Sequence, residues 1–378
     1  MSQNNYASEY RVSYLHIGFK YNTPEDIDHM ISRMMLKAKP ELYNKFIRSD
    51  DNPDYVIATD KMNRTEKLYN RMLDYIQQDK VRNKIFIFYT YEPLEPDFNL
   101  FDYAVSFNRD LKFGDRLGPC VNFLPYDFEN KKLLENNVNI KAVRENLNNL
   151  KFCCFIHSHW GSPRDEFFHE LSRYKRVDSL GKHLNNMSTR THGFTDAWME
   201  KSINMKSNYK FSFAFENTRY KYYTTEKILT AMQAHTVPIY WGDPAVTDLY
   251  NPEAFINCND CKNLDEMLEK VREVDNDDEL FLHMISQPWQ TPEQQNLTLK
   301  LINDYYNFIE NIFTQDIRSA KRVPFGIIHD IYAANFAGVR EKEPKAPDFW
   351  GRWRLRIKNF PNKIKNILGI NKNKDKNN

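Results

Sequence analysis

The sequence predicts an α/β layer protein of two domains followed by a basic tail, and three observations lead there. Short apolar runs rich in β-branched and aromatic residues alternate with charged stretches of helical character. The 378 residues amount, at roughly 150 per domain, to two domains with ample core. The composition is 41% hydrophobic, 14% aromatic and 28% charged with only 11 Gly and 17 Pro, which describes a chain that packs and excludes a disordered or fibrous one.

Taken in order, strands are expected at Val12 to Phe19, Tyr55 to Thr59, Ile85 to Thr90 and Tyr103 to Phe107. An Asn- and Lys-rich stretch from about Asn130 to Leu150 then precedes a new apolar run, Phe152 to His157, and a domain boundary belongs there. In the second series Phe211, Phe213 and Phe215 alternate as a strand, followed by a polar loop, a helix from about Thr225 to His235 and a strand at Val237 to Trp241. Apolar spacing places further helices at Leu264 to Val274 and Leu301 to Ile312. Glu341-Lys-Glu-Pro-Lys-Ala-Pro-Asp348 reads as a linker. The expected organisation is therefore a domain over 1–150, a second over 151–340, and a linker and tail over 341–378.

The net charge of +2 conceals an asymmetry. Residues 349–378 carry nine Lys or Arg against Asp375 alone, so the first 348 residues retain 44 basic and 50 acidic side chains. An acidic body is unsuited to nucleic acid, whereas a +8 tail suits a polyanionic surface, with a membrane and RNA as the candidates. Five cysteines, two of them adjacent at Cys153 and Cys154, do not make a secreted disulfide framework and point to a reducing compartment. Cys258-Asn-Asp-Cys261 has Cys-x-x-Cys spacing but no second pair to complete a zinc site, and reads as strand-end cysteines. The start lacks a signal-peptide pattern and no 18-residue apolar run occurs, so no membrane span is expected.

The most informative segment runs from Phe211 to Thr230, where a strand empties into a polar loop and then into a helix start. Ligands of open α/β sheets bind at that end of the strands. Thr224 or Thr225 suits the N-cap, and the free N–H groups behind it suit a phosphate oxygen. Lys227 in the first turn is electrostatically misplaced unless an anion sits beside it, or else it extends into solvent with Glu226 capping the helix. Neither G-x-G-x-x-G nor G-x-x-x-x-G-K occurs, so a nucleotide here would be held by side chains and a helix end.

Phe213-Ala-Phe-Glu-Asn217, Tyr223-Thr-Thr-Glu-Lys-Ile228 and His235-Thr-Val-Pro-Ile-Tyr-Trp-Gly-Asp-Pro244 together resemble the donor-binding signature of the α-1,3-fucosyltransferases of glycosyltransferase family 10. The likeness extends more loosely to Asn251-Pro-Glu-Ala-Phe-Ile-Asn257, Ser162-Pro-Arg-Asp-Glu-Phe-Phe168 and Val177-Asp-Ser-Leu-Gly-Lys182. In the first half, Tyr89-Thr-Tyr-Glu92 with Pro96-Asp-Phe-Asn-Leu-Phe-Asp-Tyr103 is similar to the family's acidic loop. The resemblance covers about Ile85 to Ile312. It implies a GT-B architecture, two Rossmann-like domains facing across a cleft, and inverting transfer of L-fucose from GDP-β-L-fucose to the 3-hydroxyl, or the 4-hydroxyl, of N-acetylglucosamine in a lactosamine-type glycan. No metal or other cofactor is implied. Carried over residue by residue, Glu92 falls on the general base, Arg164 and Lys227 on the diphosphate-binding cations, and Asn217, Tyr223 and Glu226 on the donor-binding set. Tyr91 stands where the family usually has Gly, and Arg116-Leu-Gly-Pro119 where it has Arg-Tyr-x-Arg-x-Pro, so the acceptor stays open and Glu95 remains an alternative base. Two rival functions also stay open: an inverting GT-B transferase with another nucleotide-sugar, and a non-catalytic glycan-binding protein at a membrane.

The residues agree with metal-free chemistry. A sugar hydroxyl needs a carboxylate to take its proton, and a guanidinium with an ammonium can stabilise a departing diphosphate where other enzymes use Mg²⁺. The only Asp-x-Asp strings, Asp26-Ile-Asp28 and Asp275-Asn-Asp277, lie in charged stretches and read as solvated faces; His157-Ser-His159 reads as polar packing. In the tail, Phe349, Trp350, Trp353, Ile357, Phe360, Ile364, Ile367 and Leu368 recur every three or four residues with basic residues between them, the pattern of an in-plane membrane helix kinked at Pro361. Packing of that aromatic face on the body is the alternative. The expected setting is cytoplasmic, peripheral on an inner membrane.

Overall fold

The computed structural model describes residues 7–16, 40–59, 83–187 and 198–323. The Asp26 to Asp28 string, the linker and the tail over 341–378 lie outside the described residues.

Strands β1 (Tyr10–His16), β2 (Phe46–Arg48), β3 (Tyr55–Thr59), β4 (Ile85–Tyr89), β5 (Tyr103–Ser106) and β6 (Leu117–Pro119) make one sheet, ordered β2-β1-β3-β4-β5-β6. Every pairing in it is parallel, with Ile57 opposite both Tyr14 and Ile87. A short hairpin, β7 (Tyr126–Asp127) with β8 (Lys132–Leu133), and helix α1 (Ile140–Asn146) occupy the Asn- and Lys-rich connection. The second sheet comprises β9 (Lys151–Phe155), β10 (Val177–Ser179), β11 (Tyr209–Phe215), β12 (Val237–Trp241) and β13 (Ile256–Asn257), ordered β10-β9-β11-β12-β13 and again parallel throughout.

Parallel sheets are covered on both faces, so their strands read as continuous apolar runs. Accordingly β3, β4 and β11 are buried at every residue, and the alternation of Phe211, Phe213 and Phe215 marks two buried faces rather than one wet and one dry. The chain order of the second sheet reverses between β9 and β11, since the chain leaves β9 for β10 on one side and returns to β11 on the other. The crevice outside the carboxyl ends of such a pair is where open α/β sheets bind ligands.

Helices α2 (Arg164–Tyr174), α3 (Trp198–Lys206), α4 (Glu226–Gln233), α5 (Leu264–Asn276) and α6 (Asp278–Ser286) accompany this sheet. The Asn263 side chain accepts from Glu266 N to start α5, and Met267, Val271 and Val274 bury its apolar stripe as the spacing predicts. Helix α7 (Pro292–Thr314) begins well before the expected Leu301, because Thr291 and Gln294 form a reciprocal capping box with Pro292 in the first turn.

The stripe of α7, Leu301, Ile302, Tyr305, Phe308, Ile309, Ile312 and Phe313, lies in the same core as Tyr10, Tyr55 and Tyr103 of the first sheet. Tyr10 donates its hydroxyl to Phe313 O at 2.7 Å. Each such side chain contributes about 1.5–3 kcal/mol on full burial, so the helix fastens the end of the second series to the first sheet. Gly118 in β6 is required by this contact, since a Cβ there would stand 2.3 Å from Phe308 Cδ1. The same core takes in Ala214 and Tyr240 of the second sheet and Ile228 of α4, and the described residues form one compact unit.

One expectation is overturned. Asp275 does not lie on a solvated face: it is 7% exposed, accepts from the Tyr174 hydroxyl at 2.8 Å, pairs with Lys175, and lies 3.6 Å from Lys210. The cations that neutralise it come from β11 and from the end of α2, far along the chain.

Candidate active site

Where β9 ends, the chain passes through residues 156–163 into α2, whose first residue is Arg164. Its guanidinium belongs to a residue only 2% exposed. Nη2 donates to His159 O at 2.6 Å and Nη1 to Asn217 Oδ1 at 3.2 Å, while Nε is buried without a hydrogen-bond partner. Burial holds this arginine below its ordinary pKa against the pull of Asp165 and Glu216. An orphaned buried donor is costly, and a guanidinium at a ligand crevice with one donor spare is positioned for an anion. Beside it His157 is 6% exposed with an unpartnered Nε2, and burial, reinforced by the charges of Arg164 and Lys227, keeps its imidazole neutral. His157 is thus packed polar as expected, its ring against Phe155 and within electrostatic reach of the two cations.

Where β11 ends, Glu216 is buried to 1% exposure. Its Oε1 accepts from Thr225 N at 2.8 Å, and its Oε2 accepts from Thr225 Oγ1 at 2.7 Å and from Lys227 Nζ at 3.0 Å. Lys227 also donates to Thr225 Oγ1 at 2.8 Å and lies 3.5 Å from Glu226 Oε1. Thr225 occupies the N-cap of α4, yet its hydroxyl serves Glu216 rather than the helix. The conflict between a cation and the positive helix end is therefore settled within the chain: the neighbouring anion is Glu216. Burial opposes the charge on Lys227, and the carboxylates of Glu216 and Glu226 outweigh it and raise its pKa, while Arg164 pushes the other way. Arg164 and Lys227, from different elements, thus converge closely enough to repel.

The motif contains Glu216 without marking a role for it; its signal is a lone acid closing an unbroken apolar strand. The same holds for Asp243, which is 0% exposed. Asp243 accepts from Tyr222 N at 2.6 Å, Ala245 N at 2.8 Å and Thr224 Oγ1 at 2.7 Å. It holds the loop before α4, including Tyr222 at φ +70, a left-handed conformation that costs a non-glycine residue about 1–3 kcal/mol. Gly242 beside it has φ +150, and a Cβ there would stand 2.5 Å from Glu216 Cβ, so the turn admits only glycine without displacing that acid.

The remaining donor-side residues fall close by. Asn217 is exposed and oriented by Arg164; Glu226 opens α4, partly exposed. Tyr223 is 2% exposed, with its ring edge-on to Phe107 of the first series at 5.0 Å. Burial, then the charges of Glu216, Glu92 and Glu226, raise its hydroxyl well above the ordinary tyrosine value, which brings carboxylates from both series to one residue.

Glu92 follows β4 and is half-buried; its N–H donates to Thr90 Oγ1 at 2.9 Å and its carbonyl accepts from Leu94 N at 2.8 Å, which fixes the loop. Glu95 is exposed and accepts on Oε1 from Asn108 Nδ2 at 2.7 Å and from the Tyr220 hydroxyl. It works as a clasp between the two series. Asp110 does the same, accepting from Lys221 Nζ at 2.6 Å and the Tyr222 hydroxyl at 2.8 Å, and Arg109 lies 4.0 Å over the Tyr222 ring. Arg116 is committed to the carbonyls of Phe98, Phe101 and Asp102. Among the described residues no group of three or more His, Cys, Asp or Glu could hold a metal ion.

The model of the glycosyltransferase family 10 (fucosyltransferase) C-terminal domain matches residues 147–307. Over those residues, less than half of the chain, the sequence is similar to that family's domain. The matched span contains β9 through most of α7 and every donor-side residue described above, from Arg164 to Lys227. An alpha-(1,3)-fucosyltransferase of Helicobacter pylori is 31% identical over 258 residues, 59% of this chain and 52% of that protein. The human GDP-fucose protein O-fucosyltransferase 3 is 28% identical over 192 residues, 50% of this chain and 39% of that protein. The chain thus spans about half or less of the length of these curated relatives. A crystal structure of an alpha1,3-fucosyltransferase with GDP-fucose superposes with a TM-score of 0.57 at 23% identity, covering 82% of this chain and 93% of that one. The likeness fixes the fold as GT-B, in accord with the two parallel sheets, each belonging to its own Rossmann-like half.

Proposed function

We propose that the protein transfers L-fucose from GDP-β-L-fucose to the 3-hydroxyl, with the 4-hydroxyl as the alternative, of N-acetylglucosamine in a lactosamine-type glycan, with inversion and without a metal. The observation that carries this reading is that Arg164 and Lys227, near the carboxyl ends of β9 and β11, lie close enough to repel, with Arg164 Nε unpartnered and His157 held neutral by burial and their charge. The family 10 domain and the names of its relatives supply the donor.

In this mechanism Glu92 takes the proton from the acceptor hydroxyl as its oxygen attacks C1 of fucose from the face opposite the nucleotide. The bond from C1 to the diphosphate oxygen breaks, the anomeric configuration inverts from β to α, and the electron pair leaves with GDP. Arg164 and Lys227 stabilise the charge growing on the diphosphate, most strongly in a water-poor cleft. Asn217 aims the Arg164 fork, Glu226 faces the donor from the helix start, and Tyr223 forms the wall behind it. Glu92 is preferred to Glu95 because two donors already converge on one Glu95 oxygen. Fucose transfer from GDP-fucose to a lactosamine acceptor in excess EDTA tests the reading. Full activity is expected with GDP-fucose and none with GDP-mannose or UDP-sugars; loss in EDTA restored by Mn²⁺ would contradict the metal-free mechanism.

The protein acts, on this reading, in the cytoplasm at an inner membrane held through residues 349–378. What supports that is the basic amphipathic pattern of the tail, each basic residue near an anionic leaflet being worth about 1 kcal/mol. Among the described residues no helix is long and apolar enough to cross a membrane. Removing 349–378 is expected to release the protein from phosphatidylserine vesicles in a sedimentation assay while transfer to soluble acceptors continues. Undiminished vesicle binding would refute the anchoring role.

A further inference from the structure

The turn Cys258-Asn259-Asp260-Cys261 follows β13 and lies beneath the donor-side loop. Cys261 N donates to Cys258 O at 3.3 Å. A turn of this kind brings its first and last Cα within about 7 Å, and a disulfide spans roughly 4.4–6.8 Å. Cys258 Sγ lies 4.0 Å from Ile256 O, and each thiol of the turn shifts the ionisation of the other. They differ in kind: Cys258 is fully buried, Cys261 is partly open to solvent. The hydrogen bond to Cys261 and then burial push the Cys258 thiol up. The hydrogen bond from Cys258 brings Cys261 down to about 7 against burial, with Lys270 adding to the effect. One sulfur is thus equipped to attack and its neighbour to resolve.

Between them Asn259 is 8% exposed and spends its polar atoms on the site. Its Oδ1 accepts from Gly242 N at 3.0 Å, its Nδ2 donates to Asp243 O at 2.8 Å, and its carbonyl accepts from Arg219 Nη1 at 3.2 Å. Asp243 in turn holds Tyr222 and Thr224. A change in the cysteine turn therefore reaches the loop over residues 219–224 through a single residue, Asn259.

We propose that Cys258 and Cys261 are a site of reversible disulfide formation, driven by a hydroperoxide, whose closure displaces Asn259 and loosens the Gly242-Asp243 turn under the donor-side loop. The Cys261 thiolate attacks one peroxide oxygen, the O–O bond breaks, and hydroxide leaves and takes up a proton, giving Cys261 sulfenic acid. The Cys258 sulfur then attacks the Cys261 sulfur, the S–O bond breaks, and the hydroxyl departs with the Cys258 proton as water. Two thiols and one hydrogen peroxide yield a disulfide and two waters, two electrons passing from sulfur to oxygen. A dithiol reverses it.

The test treats the full chain with hydrogen peroxide, maps the product by peptide mass spectrometry, and follows deuterium exchange at residues 242–245, a readout that does not involve the donor. Expected are a mass loss of two hydrogens in the peptide holding both cysteines, exchange about tenfold faster at Gly242, and recovery of both with dithiothreitol. The Cys261→Ser variant should show neither response. Oxidation of Cys261 to sulfinic acid without a bridge, or a bridge that leaves exchange at 242–245 unchanged, would overturn the proposal.

Discussion

Replacing Glu92 with Gln is expected to lower fucose transfer by about 10²–10⁴-fold, the usual contribution of a positioned proton acceptor, while GDP-fucose affinity stays unchanged. Gln keeps the volume and leaves the backbone bonds to Thr90 and Leu94 intact, so the loop after β4 should hold its shape. What is lost is the carboxylate that, on the proposed reading, takes the acceptor proton. On the proposed reading the donor is gripped from the opposite sheet and should not sense the change. Single-turnover transfer rates, with calorimetry on the same preparation, separate the two quantities. Glu95→Gln is the control: its side-chain oxygen can still accept from Asn108 and Tyr220, and its transfer rate should remain near wild type. A large loss in Glu95→Gln with near-normal Glu92→Gln would move the base to Glu95.

Lys227→Ala is expected to have two separable effects. Donor affinity should fall about 10- to 100-fold, the worth of one lost charge-assisted hydrogen bond to the diphosphate, and turnover should fall with it. Stability should fall as well, because the Glu216 carboxylate, with a side chain 0% exposed, loses its counter-ion. Breaking a buried pair from one side costs about 3–5 kcal/mol, far more than a surface pair. The double variant Glu216→Gln with Lys227→Ala distinguishes the effects: it removes the stranded charge, so the thermal midpoint should recover much of its loss while donor affinity remains low. Recovery of affinity together with stability would mean that Lys227 serves the fold and not the nucleotide.

That second prediction marks the limit of what was legible in the sequence. The strands Tyr55 to Thr59 and Val237 to Trp241 and the helix at Leu264 are legible because apolar period and length are local properties. The cluster at the carboxyl ends of β9 and β11 is legible in part: Arg164 meets Asn217 and lies within electrostatic reach of Lys227, and Glu92, after β4, lies within electrostatic reach of Tyr223. The partner of Lys227 was not, since nothing in spacing says that the loop from Asn217 to Thr224 folds back to set Glu216 beside the helix start. Asp275 was misread for the same reason: its local context is charged, and the lysines that make its burial tolerable arrive from β11 and α2. Helix α7 shows the complementary case, in which a capping box lengthened the element and its apolar stripe crossed to the first sheet.

The central claim is that a protein-held pair of cations grips a diphosphate while an acid on the facing half deprotonates the acceptor. A crystal structure with GDP-fucose bound tests it most directly. Diphosphate oxygens are expected at hydrogen-bonding distance, about 2.7–3.2 Å, from Arg164 and Lys227, with Arg164 Nε among the donors and fucose C1 open toward Glu92. A nucleotide lodged elsewhere, with Arg164 and Lys227 still bound only to Asn217, His159, Thr225 and Glu216, would contradict it.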